Sequence, residues 1–133
     1  MKDVPASQDL RNLGGQMSFE LQHRPSIGPT AEQVFAALDK AGIKLTGVTQ
    51  YLGSTMKAAY CAGGRSATGV VVAVCEYQTA DAAKAGLEWM KTRFKGLAPD
   101  ANRHLRRGTV LTLNGTAVAP ETISAGFAAF DAL

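Results

Sequence analysis

Two hydrophobic periods run along this chain, and the changes between them mark its elements. The strongest signal is Val70-Val71-Val72-Ala73-Val74, apolar and mostly β-branched on both faces. Such a run predicts a strand buried on both sides, near the middle of a sheet. The short mixed stretch Lys57 to Cys61 predicts a neighbouring strand, and Gly63, Gly64 and Gly69 between them supply turn conformations. Two registers fit. A three-residue turn Ala67-Thr68-Gly69, with Gly69 left-handed, pairs Ser66 with Val70 and sets Cys61 opposite Cys75. Opposed cysteines in a non-hydrogen-bonded pair are close enough for a disulfide. A turn centred on Gly64-Arg65 instead separates the cysteines along the ladder.

Helical periodicity is clearest over Thr30 to Ala41. Thr30 and Gln33 have capping-box spacing, and Ala31, Val34, Phe35, Leu38 and Ala41 form an apolar stripe. Gly42 reads as the residue after the helix, with Ile43 placed to close a Schellman motif on Leu38. A second helix starts at Thr79, carries Ala80, Ala83, Leu87, Met90 and Phe94 on one stripe, and ends on Lys91, Arg93 and Lys95 before Gly96 and Pro99. Trp89 falls off that stripe. A third runs from Glu121 to Leu133 after Pro120, with Ile123, Phe127 and Phe130 on one face.

The rest alternates or breaks. Residues 1–16 are polar, with Pro5 and Gly14-Gly15, and read as a flexible tail or tether. Met17 to Gln22 alternates Met17, Phe19 and Leu21 against Ser18, Glu20 and Gln22, the pattern of an edge strand. Ile43 to Leu52 alternates too, but its phase changes at Gly47, which predicts a β-bulge or bend. Arg103 to Arg106 and Thr109 to Leu113 predict two short strands joined by a tight turn at Arg107-Gly108. The order predicts one α+β domain over residues 17–133. Its antiparallel sheet carries two helices on one face in a ferredoxin-like βαββαβ plan with additions, plus a C-terminal amphipathic helix.

Length and composition narrow the classes. The chain has 133 residues, 46% hydrophobic and 19% charged, a globular composition with enough length for a core. No apolar run reaches membrane-spanning length. A net charge of +3 and 7% aromatic residues give no footing for nucleic-acid binding. No secretory leader pattern opens the sequence, so an exported form would need its leader, or a lipid tether, upstream.

Candidate chemistry is sparse. Cys61 and Cys75 lack CxxC spacing, so the pair reads as a structural disulfide worth roughly 3 kcal/mol, or as two packed thiols. A Cys2His2 zinc site would need both His23 and His104, and the spacing matches no finger. Neither a metal nor another cofactor is expected. The glycine-rich stretch from Ala62 to Gly69 lacks the phosphate-loop pattern and precedes a strand, although Arg65 at such a tip could meet an anionic partner. Ser26, Ser54, Ser66 and Ser124 lack a nucleophile-elbow context. Arg103, His104, Arg106 and Arg107 form the densest basic cluster, which also suits charges that block edge pairing.

The pattern is specific to no family. It supports a non-enzymatic binding or assembly module of a bacterial periplasmic or lipoprotein type, stapled by Cys61–Cys75, with another protein as partner. Trp89, Arg65, Arg103, Arg106 and Arg107 are the candidate contact residues. The alternative is a cytoplasmic or exported ligand-sensing or enzymatic domain with a pocket between sheet and helices, and a deep pocket holding His104, Glu76 or Tyr60 would favour it.

Overall fold

The computed structural model describes residues 6–94, 102–115 and 118–133, with side chains from residue 13 onward. Among the described residues, four α-helices and five strands follow in the order α1 (Ala6–Gln22), α2 (Ala31–Lys40), β1 (Leu45–Tyr51), β2 (Tyr60–Ser66), β3 (Val71–Glu76), α3 (Ala80–Arg93), β4 (Arg103–Arg106), β5 (Thr109–Asn114) and α4 (Pro120–Asp131). A 3₁₀ turn over Gly53–Met56 joins β1 to β2. The strands make one antiparallel sheet ordered β1-β2-β3-β5-β4, with the valine run at its centre.

The β2–β3 hairpin takes the register in which the cysteines meet. Gly69 has φ +96°, and its amide donates to the Ser66 carbonyl at 3.0 Å. The Ser66 amide reaches the Val70 carbonyl at 2.9 Å, closing the three-residue turn. From there the ladder runs Arg65–Val71 through Cys61–Cys75 to Tyr60–Glu76, so Gly64 and Arg65 lie within a strand. The two cysteine Cα atoms are 4.2 Å apart and the disulfide is formed.

Local signals around α2 and β1 are also realised. Thr30 accepts from the Gln33 amide while the Gln33 side chain accepts from the Thr30 amide. At the other end the Ile43 amide reaches the Leu38 carbonyl at 2.8 Å and the Gly42 amide the Asp39 carbonyl at 3.1 Å, a complete Schellman motif. β1 pairs Leu45 with Ser66 and Val48 with Gly64, so Thr46 and Gly47 together oppose Arg65 alone. That is the bulge the phase change announces.

Strand alternation sorts the core into two layers. Tyr60, Ala62, Val72, Val74, Leu111 and Leu113 face α2 and α4, which bring Val34, Leu38, Phe127 and Phe130 against them. Cys61, Cys75 and Val110 face the other way, toward Tyr77 and Ala83, Leu87 and Met90 of α3. One face therefore does carry two helices, but they are α2 and the C-terminal α4, with α3 opposite. Among the described residues, only the β3–α3–β4 connection inserts an α-helix between strands. The α+β class stands, and the strand order does not reproduce a ferredoxin-like βαββαβ plan.

The N-terminal segment corrects a second expectation. Met17–Gln22, read as an edge strand, is the end of helix α1, which begins at Ala6 within the stretch read as a tether. The alternation misled because burial here is inverted. Phe19 and Leu21 are exposed, and Glu20 is buried. Helical spacing sets Gln16 beside Glu20, whose carboxylate accepts from the Gly53 amide at 2.7 Å and the Ser54 amide at 3.2 Å. α1 is thus pinned by a buried acid at the start of the 3₁₀ turn. The proposed helix stops Gly96 and Pro99 lie outside the described residues.

Candidate functional site

The residues flagged for chemistry do not converge. Cys61 and Cys75 are buried and bonded to each other, so they supply no thiolates for zinc. His23 stacks on Phe19, with ring centroids 4.0 Å apart, while His104 stacks on Phe127. Trp89 is half-buried, edge-on to Phe94 at 6.0 Å. The basic cluster is split by strand alternation. Arg103 turns toward α3, buried, with its guanidinium 5.7 Å from the Phe94 ring centroid. Arg106 turns toward α4 and donates to the Leu133 carbonyl, which Arg107 also reaches at 3.4 Å. Arg65 alone of the five candidate contact residues stays exposed with no hydrogen-bonded partner to its side chain among the described residues.

Glu76 and Tyr60 are engaged internally. The Glu76 carboxylate is buried at the start of α2, where it accepts from the Ala31 amide at 2.7 Å and from Arg24 Nε at 3.1 Å. Arg24 also bonds Glu32 through two nitrogens, at 2.7 and 2.8 Å, and lies 4.1 Å over the Tyr60 ring. The Arg24 hydrogen bond holds the Glu32 carboxyl below its ordinary range. Two carboxylates raise the Arg24 pKa in turn, Glu32 the more strongly. This cluster fastens the α1–α2 link to β3. Breaking a buried pair of this kind leaves an uncompensated charge, so its role is structural.

His104 belongs to a different arrangement. It sits on β4 opposite Leu111, at the sheet edge facing α4. Its ring lies flat on Phe127, with centroids 3.8 Å apart and planes 12° apart. Nδ1 meets the Asp131 carboxylate at 3.0 and 3.2 Å. A carboxylate at Nδ1 fixes the proton there in the neutral ring and leaves Nε2 as the acceptor. Beside this stack lies an open cavity of about 590 Å³, lined by Asn102, His104, Val118, Ile123, Ser124 and Phe127 among others. The volume lies within the range of small-ligand sites, roughly 300–1,000 Å³.

α4 builds most of the cavity wall. Pro120 starts the helix, and the spacing Ser124, Phe127, Ala128, Asp131 repeats by three and four along the side that faces β4. Phe127 is shared between the core and the cavity floor. Ser124 forms no hydrogen bond with His104, so among the described residues the His–Asp pair has no activated hydroxyl beside it. Asp131 and Asn102 were not singled out by the sequence, and Ser124 was set aside for want of a nucleophile-elbow context, although the Ser124–Asp131 spacing on one helix side was available. Comparison with known proteins finds no matching family model, curated relative or solved structure.

Proposed function

We propose that this protein is a non-enzymatic binding module of an oxidising, exported compartment, and that it takes a small ligand between β4 and α4. The observation that carries this reading is the cavity beside the flat His104–Phe127 stack, with the Asp131 carboxylate at its wall. A flat apolar body fits against the stacked rings, and a hydrogen-bond donor on it fits Asp131. The binding surface is placed at this pocket, where the C-terminal helix faces His104, in preference to Trp89, which is half-buried, to Arg103, which is buried, and to Arg106 and Arg107, which turn to the Leu133 carbonyl. The Cys61–Cys75 disulfide supports export, because such bonds persist in oxidising compartments.

Nuclear magnetic resonance titration with phenethylamine, and with phenylacetate as the mismatched probe, tests the reading. Phenethylamine is expected to shift resonances of residues 102–104 and 118–131, and phenylacetate to shift them less. Ile123→Trp, which fills the mouth, is expected to abolish the response while leaving the fold intact. Shifts scattered over the surface, or a response unchanged by Ile123→Trp, would sink the pocket as the binding site.

A further inference from the structure

The two edges of the sheet are finished differently. β4 is four residues long and carries Arg103 and Arg106, followed by Arg107. A short charged edge resists pairing with another chain. β1, Leu45–Tyr51, contains no charged residue and no proline. It is a terminal strand of the sheet, and its middle is exposed, Val48 to 53%. The bulge at Thr46–Gly47 protects only the start of the strand, leaving Val48–Tyr51 straight and unpaired on the outside among the described residues.

We infer that the β1 edge pairs with β1 of a second copy of this chain, making one continuous ten-stranded antiparallel sheet across a two-fold axis. Self-pairing is favoured over a foreign strand by the edge's own composition. A strand with no charge meets no like charge when it opposes itself. Directly opposed residues share a face of the sheet, so the axis must pass through a residue of β1 and not between two. The bulge confines the regular segment to Val48–Tyr51, where axes through Thr49 and through Gln50 each pair three residues; the axis through Thr49 is preferred because Gln50 is already committed to the Met17 carbonyl. Thr49 then opposes the partner's Thr49, a favourable cross-strand pair, and Val48 opposes the partner's Gln50.

Features on both sides of the edge fit the same occupant. The Gln50 side chain donates to the Met17 carbonyl of α1 at 2.7 Å. In this register α1 lies beside the partner's Val48, next to a groove of about 270 Å³ lined by Phe35, Leu45 and Val48. Leu13, Met17 and Leu21 recur at four-residue spacing along α1, and Leu13 and Leu21 are exposed. They supply the apolar surface that the groove lacks a cover for.

Sedimentation of the full chain over a concentration series, up to about 1 mM, tests the pairing. A reversible dimer is expected. Thr49→Lys places two like charges opposite each other on the axis and is expected to weaken the dimer more than about tenfold. Val48→Lys is expected to weaken it by less, because its opposite residue is Gln50. Hydrogen exchange of the unsubstituted protein gives a readout independent of folding in the variants: amides within Val48–Tyr51 are expected to gain protection as concentration rises. A monomer throughout the series overturns the inference. So does a dimer that survives both substitutions, or protection that gathers at the β4 edge instead. A monomer that binds an extended foreign peptide along β1 would likewise overturn it, in favour of strand capture.

Discussion

On the α2–α4 side of the sheet, Val34, Leu38, Val74, Leu111, Leu113 and Phe130 are fully buried in one continuous apolar layer. On the α3 side the fully covered apolar residues of the sheet are Cys61, Cys75 and Val110, with Tyr51 and Leu105 partly buried beside them and the small residues Gly63 and Ala73 paired in the same layer. α3 covers only part of that side, and Val71 remains exposed beyond it. The difference is one of available volume. Where branched side chains interdigitate with two helices, dispersion and burial suffice. Where the strands carry small residues, a covalent bond between neighbouring strands replaces the missing packing.

The largest way to break this comparison is to remove volume from both layers. Phe130→Ala is expected to cost about 3–5 kcal/mol in urea unfolding, because the ring is wholly enclosed and the site cannot collapse around its loss. Leu87→Ala, on a helix face that still touches solvent, is expected to cost about 2 kcal/mol, the lower end of its class. Equal losses would erase the contrast. The second way is to open the staple. Cys61→Ala with Cys75→Ala is expected to cost about 3 kcal/mol, and reduction of the native chain should give a similar loss. Alkylation of non-reduced, denatured protein should find no free thiol. A double variant as stable as the native chain would mean that the α3 layer packs adequately by itself.

What could be read from sequence was mostly local. The Ala67-Thr68-Gly69 turn is local too, although the sequence left it open against a turn at Gly64-Arg65 and the structure makes the choice. The Thr30–Gln33 box, the Gly42–Ile43 stop and the Gly47 bulge are decided by neighbours. The illegible parts depend on long contacts. A strand that is apolar on both faces does not say which helix covers which face, so α3 could not be placed opposite α2. α1 was misread because Glu20, polar and flanked by apolar residues, goes inward to amides more than thirty positions away. The His104–Asp131 pair joins residues 27 positions apart, and neither lies in a motif that names the other. Arg103 resisted for a similar reason, since a basic cluster in sequence becomes two opposite faces once it is a strand.

The smallest and sharpest test of the comparison is alkaline pH. Burial pushes the Tyr51 hydroxyl up to about 12. It raises Tyr77 as well, with Tyr51 nearby adding to the effect. Both belong to the α3 layer, where Tyr51 lies 3.8 Å from the Cys75 sulfur and Tyr77 donates to the Met56 carbonyl at 2.8 Å. An unfolded tyrosine titrates near about 10. Between about 10 and about 12 the unfolded chain has therefore lost protons that the folded chain keeps, so stability falls as pH rises through that window and is fully present below it. The slope is at most about 1.4 kcal/mol per pH unit for each such group. Tyr60, in the other layer, is raised by burial too, but Arg24 over its ring pulls the other way. Tyr51→Phe is thus expected to flatten the loss of stability above pH 10 more than Tyr60→Phe does, measured by urea unfolding across the window. Greater flattening from Tyr60→Phe would place the more tightly sealed tyrosine under α2, and the α3 layer would then owe its weakness to small side chains alone.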